Sequence, residues 1–113
     1  MLSDIRIRGG GVRIFAVKGR ITSKGAGSFR EEMLKNIEGD GKRVLFDLEG
    51  VTAVDGNFAG ALITLARRIK EGGGEMKIFG PQERVADFLT GYSELLSEVE
   101  VCDTEDAAVR RFK

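Results

Sequence analysis

A hydrophobic period that switches repeatedly between two and about 3.6 residues constrains this chain more than any other feature, because such switching demands alternating strands and helices. Ile5 and Ile7 alternate with Arg6 and Arg8, the pattern of a half-exposed strand at a sheet edge. Gly9–Gly11 then supply the positive φ angles of a tight hairpin. The hairpin leads into Val12–Val17, a second strand that is apolar on both faces apart from Arg13 and so belongs further inside the sheet. A polar loop, Lys18–Gly27, precedes a helix in which Phe29, Met33 and Ile37 recur at helical spacing opposite Glu31, Glu32 and Lys35. Gly39–Gly41 is its predicted stop.

Val44, Leu45, Phe46 and Leu48, interrupted by Asp47, predict a short central strand. After a loop from Glu49 to Gly56, the stripe Phe58, Leu62, Leu65 and Ile69 predicts a second helix. Arg67, Arg68 and Lys70 in its last turn and Gly72–Gly74 beyond it are C-terminal signals. Met76–Phe79 reads as the next strand. Pro81 precedes a short helix, Gln82–Leu89, with Val85, Phe88 and Leu89 inward. Val99–Val101 predicts a last strand and Glu105–Phe112 a last helix carrying Ala108 and Phe112. The order β-β-α-β-α-β-α-β-α implies an α/β fold: a small open mixed sheet, mostly parallel, of about five strands with four helices. No internal repeat, low-complexity segment or linker divides residues 1–113, which read as one domain.

Composition narrows the chemistry. Eighteen basic side chains balance eighteen acidic ones, so no global field draws the chain to nucleic acid or to an anionic membrane. Without histidine there is no Ser-His-Asp or Cys-His pair, and one cysteine leaves no zinc site of the usual kind and no internal disulfide. The opening MLSDIRIRGG lacks the apolar run of a signal peptide, and the longest weakly charged apolar stretch, Asn57–Ala66, is far short of the ~20 residues that span a bilayer. The expectation is a cytoplasmic protein, not inserted in a membrane, with no catalytic residues, no metal and no cofactor.

The glycines do not form a phosphate loop. Gly25-Ala26-Gly27 meets Arg30 where a dinucleotide fingerprint needs glycine, Gly39-Asp40-Gly41 meets Val44, and Gly41-Lys42 is followed by Arg43 where a nucleoside-triphosphate loop needs Ser or Thr. Asp47 raises the idea of a phosphate-accepting receiver. Such a site needs an acidic cluster for magnesium and a lysine on a later strand, whereas the neighbouring strands end Val17-Lys18-Gly19 and Phe79-Gly80-Pro81. Asp47 is better read as a strand-end carboxylate bonded to nearby loop amides. The most informative segment is Asp47–Gly60, DLEGVTAVDGNFAG, which carries a buried strand into an apolar helix. Side chains there either cap the helix or receive a partner at its electropositive start. Asp55 and Asn57 are both candidate caps, and Phe58 either staples the helix to the core or faces outward as an interface anchor.

DLEGVTAVDGNFAGALITLARRIKEGGGEMKIFG resembles the central block of the STAS domain, the family of anti-sigma-factor antagonists, with its Asp-Leu-x-x-Val strand, its Asp-Ser-Ser-Gly or Asp-Ser-Thr-Gly turn, its apolar helix and its Gly-Gly strand entry. GRITSKGAGSFREEML and FLTGYSELLSEVEVCDTEDAAVRRF resemble the flanking blocks, so nearly the whole chain is covered. The resemblance implies a non-enzymatic regulator whose partner is an anti-sigma factor of the serine-kinase type. In antagonists of the family the second Ser or Thr of the turn is phosphorylated by that kinase, and the unphosphorylated form binds it. Asn57 stands at the phosphoacceptor position here, Gly56 matches the preceding Ser, and Phe58 replaces the usual Gly. A carboxamide has no hydroxyl to phosphorylate and, being neutral, does not imitate the phosphorylated state, which implies constitutive binding.

The expected contact set is Thr22, Ser23, Asp55, Gly56, Asn57 and Phe58, with Thr22 replacing an acidic residue found in many relatives. Thr22, Ser23, Ser28 and Thr52 are the other hydroxyls in or near this surface. Two alternatives stand beside this reading: a STAS adaptor or scaffold subunit of a signalling or transporter-linked complex, and a module that binds a small ligand or nucleotide at the carboxyl ends of the strands.

Overall fold

The structure is a computed structural model that describes residues 2–38 and 42–113. Its elements run β1 (Leu2–Arg8), β2 (Val12–Ile21), α1 (Lys24–Asn36), β3 (Arg43–Val54), α2 (Gly56–Glu71), β4 (Glu75–Phe79), α3 (Glu83–Thr90), α4 (Ser93–Glu98), β5 (Glu100–Cys102) and α5 (Glu105–Arg111). The predicted stop at Gly39–Gly41 lies outside the described residues. Among those residues the strands form one five-stranded sheet in the order β1-β2-β3-β4-β5, antiparallel only between β1 and β2.

Consecutive strand order has a geometric consequence. Right-handed parallel crossovers that always step in the same direction place their helices on the same face of the sheet. The main core therefore lies on that face, where Phe15, Val17, Val44, Phe46, Leu48 and Ile78 meet Phe29 and Met33 of α1, the α2 stripe Phe58, Leu62, Leu65 and Ile69, and Val85, Leu89 and Leu95. Among the described residues the opposite face is covered by α5 alone. There Val12, Ile14, Leu45, Phe79 and Cys102 pack with Ala108, Val109 and Phe112. Lys77 is buried on this face, held by Glu100 at 3.1 Å with its ammonium 5.2 Å from the Phe112 ring centre. The Gly9–Gly11 hairpin forms as expected, with Gly10 at φ 83° and Gly11 at φ 74°.

Three local differences from the sequence reading have physical causes. First, Lys18–Ile21 and Glu49–Val54, read as loop, are paired strand: Lys18 lies opposite Gly50 and Ile21 opposite Val54. Two register shifts in this stretch and the charged Lys18 and Arg20 break the period-two pattern that would reveal it. Gly50 is required there, because a Cβ would sit 2.8 Å from that of Lys18. Asp47 is therefore mid-strand, although its carboxylate still accepts the Glu49 amide at 3.0 Å.

Second, α4 is a fifth helix. Six residues are too few to show periodicity, and it is tied to α2 by Arg67–Glu94 at 2.6 Å and Lys70–Glu98 at 3.1 Å. Third, Phe88 is 37% exposed rather than inward, because Val85 and Leu89 already fill the inner face of α3. Its ring packs on Tyr92 at 5.3 Å.

Candidate functional site

β2 and β3 stay paired up to Ile21 and Val54, so the two segments that leave them emerge side by side. This brings Thr22 and Ser23 against the turn from Asp55 to Phe58. The contact is direct, since the Ser23 amide donates to Asp55 Oδ2 at 2.9 Å.

Asp55 organises the junction. Its backbone is extended, at φ −140° and ψ −173°, and its side chain caps α2: Oδ1 accepts the Asn57 amide at 3.0 Å and the Phe58 amide at 3.2 Å. Oδ2 receives the Asn57 side-chain amide at 3.3 Å beside the Ser23 amide. Of the two candidate caps, Asp55 takes the role. Its carboxyl is held below the ordinary aspartate range, chiefly by the Ser23 amide and then by the Asn57 side chain and the two helix amides. With both oxygens accepting, Asp55 is suited to fixing shape rather than to moving protons.

Phe58 follows the inward option. It is fully buried, and its ring packs on Phe29 at 5.3 Å. Its side chain is therefore withdrawn from the expected contact set and supports the turn from beneath. A surface anchor at this position would expose a ring that the α1–α2 seam already encloses.

The start of α1 is built differently. Ser23 has φ 50° and ψ −121°, and among the described residues it is the one non-glycine with positive φ. The Gly25 amide closes a turn onto the Thr22 carbonyl at 2.9 Å, which places Ser23 at a position that glycine normally occupies in a type II′ turn. The Ser23 side chain makes no capping hydrogen bond. Backbone strain thus sits at the centre of the candidate surface.

Ser23, Gly56 and Asn57 are exposed there, with Thr22 and Asp55 half-buried. Ser28 and Thr52 are also exposed. The surface continues along α2 as a polar stripe of Asn57, Gly60, Thr64 and Arg67 or Arg68. Tyr92, which sequence reasoning missed, borders the site: a Cβ on Gly56 would lie 3.0 Å from its hydroxyl oxygen, so glycine lets the phenol approach. The signal available was the i, i+4 aromatic spacing of Phe88 and Tyr92 at the end of α3. At the opposite end of the sheet a cleft of about 370 Å³ is lined by Lys70, Glu75, Lys77, Glu98 and Glu100, whose lysines are engaged in ion pairs.

The model of the STAS domain matches residues 5–108. No curated protein sequence matches the chain. Among solved structures, a candidate anti-sigma factor antagonist from Thermotoga maritima superposes with a TM-score of 0.81 at 18% identity, over 96% of this chain and 92% of that one. A STAS domain protein from Planctomyces limnophilus gives 0.77 at 20% identity, over 96% and 97%. The murine solute carrier 26 family member A9 anion transporter gives 0.76 at 19% identity, over 88% of this chain but only 17% of the transporter. At these identities the structures speak for the fold, and the family match over most of the chain speaks for descent. The chain belongs to the STAS domain family.

Proposed function

We propose that this protein is a non-enzymatic regulator resembling an anti-sigma-factor antagonist, which binds a partner protein of the anti-sigma, serine-kinase type. The contact set is Thr22, Ser23, Asp55, Gly56 and Asn57, continued by the exposed stripe of α2. The observation that carries this reading is the double engagement of Asp55. One carboxylate ties the Thr22–Ser23 loop to the start of α2 and leaves the Asn57 carboxamide on a pre-shaped surface. Surfaces ordered before binding lose less entropy on docking.

Asn57 occupies the phosphoacceptor-equivalent position and has no hydroxyl, so the surface binds constitutively rather than as a phosphoswitch. The test is a pull-down from the native host with the wild type, Asn57→Ser and Asn57→Arg. Wild type retains a kinase-type partner, Asn57→Arg loses it, and Asn57→Ser binds in a manner that becomes sensitive to phosphorylation. Retention of every partner by Asn57→Arg would remove this surface from the function.

A second reading is a STAS subunit of a transporter-linked or scaffold complex. It is favoured by the recurrence of this fold within the anion transporter chain. Neighbouring genes separate the two: a sigma factor and kinase support the first, a permease or sensor array the second.

A further inference from the structure

The two edges of the sheet differ. β5 ends one side with three residues, too short a template for another chain. β1 ends the other with seven residues, and among the described residues no strand pairs with its outer edge. On one face it presents Ile5 and Ile7, which are 47% and 71% exposed. On the other it carries Asp4, Arg6 and Arg8. Glu105 holds Arg6 at 2.6 Å and Arg8 at 2.9 Å, while the Asp4 carboxylate is 61% exposed with Arg6 Nε at 3.9 Å.

The backbone of this edge is correctly aimed. The Arg8 carbonyl accepts the Gly11 amide at 3.1 Å and so points into the hairpin. By the two-residue period of a strand, the N–H and C=O groups of Ile5 and Ile7 point away from β2. The one irregularity in the β1–β2 pairing lies between Leu2 and Asp4, so this spacing is undisturbed from Asp4 to Arg8.

From this geometry we infer that β1 pairs antiparallel with β1 of a second copy of this chain about a two-fold axis at Ile5, joining two sheets into one of ten strands. In that register Ile5 exchanges two backbone hydrogen bonds with its copy, and Ile7 faces Ser3 of the second copy, at the irregular end of β1. Charge selects the register. Centred on Ile5, Asp4 lies opposite Arg6 of the second copy on both sides of the axis, so both cross-strand pairs attract. A slip of two residues one way sets Asp4 against Asp4; the other sets Arg6 against Arg6, although Asp4 then faces Arg8 of the second copy, so of the three registers the one centred on Ile5 alone has no like charges opposed. The charges that would otherwise guard this edge are self-complementary in one arrangement.

Sedimentation of the full chain from micromolar to millimolar concentration tests the inference. Wild type converts from monomer to dimer, and the dimer weakens in molar sodium chloride. Asp4→Arg turns both attractive pairs repulsive and weakens dimerisation about tenfold or more. Ile5→Lys sets two cations on the axis and abolishes the dimer. Both positions are largely solvent-facing, so melting curves close to that of wild type establish that these variants fold. A wild type that stays monomeric throughout, a dimer indifferent to salt, or a dimer that survives both substitutions overturns the assignment.

Discussion

The two helices that meet at the candidate site begin within hydrogen-bonding distance of each other and by opposite means. α2 starts on an extended Asp55 whose carboxylate caps two helix amides, with Phe58 buried beneath. α1 starts on Ser23, whose backbone is strained and whose side chain caps nothing. Ser23 instead lends its amide to the cap of its neighbour, at 2.9 Å. One helix start is self-sufficient, then, and the other leans on it. The shape of the exposed surface depends on a single carboxylate serving both.

Removing the support of the stronger start should have the largest effect. Phe58→Ala empties a fully enclosed space against Phe29 and should cost about 3–5 kcal/mol, measured by chemical denaturation. A loss of only a few tenths would mean that the ring does not hold the α1–α2 seam. Asp55→Ala comes next: it strips the cap from α2 and the anchor from Ser23 together, lowering Tm by several degrees.

The same carboxylate makes part of this stability pH-dependent. Its folded pKa lies below the ordinary aspartate value of 3.8, so its contribution is fully present above that value. The contribution is lost as pH falls from there through the depressed folded pKa. Carboxyl NMR titration of Asp55 should show this low midpoint, and an unshifted one would break the account of the junction.

A subtler substitution separates the two helix starts. In Asp55→Asn the remaining oxygen can still cap Asn57 and Phe58, as asparagine does at many helix starts. The new amide nitrogen then faces the Ser23 N–H, a donor against a donor. Amide hydrogen exchange should quicken across the turn from Thr22 to Gly25 while the first turn of α2 keeps its protection. Equal loosening at both places would show that the two starts are one cooperative unit.

This asymmetry also explains how much of the molecule was legible. The long α2 stripe is written in hydrophobic spacing, and the short apolar run through Phe46 marks the first half of the central strand. The mixed, mostly parallel sheet follows from their order. The Asp-x-Asn-Phe segment marks a helix start because cap preferences are local. Ser23 carries no such mark: nothing in Thr-Ser-Lys-Gly predicts a positive φ, which is imposed by the exit of β2 and by a carboxylate 32 positions away. The continuation of β2 past Val17 and of β3 past Leu48 was hidden in the same way by paired irregularities. Tyr92 came to the site through the packing of α3 and α4, which a six-residue helix does not announce.

The smallest effect tests the strain itself. Glycine adopts the backbone of Ser23 freely, so Ser23→Gly releases a cost of about 1–3 kcal/mol in the folded state. It also enlarges the freedom of the unfolded chain, which takes back about 0.4–1 kcal/mol. The net expectation is a rise in stability of about 1 kcal/mol, with the Asp55 hydrogen bond intact because only the amide takes part. If the stabilised variant also binds its partner more weakly, the Ser23 hydroxyl belongs to the contact surface. If stability falls instead, Ser23 is not strained in solution, and α1 does not depend on its neighbour in the way the geometry requires.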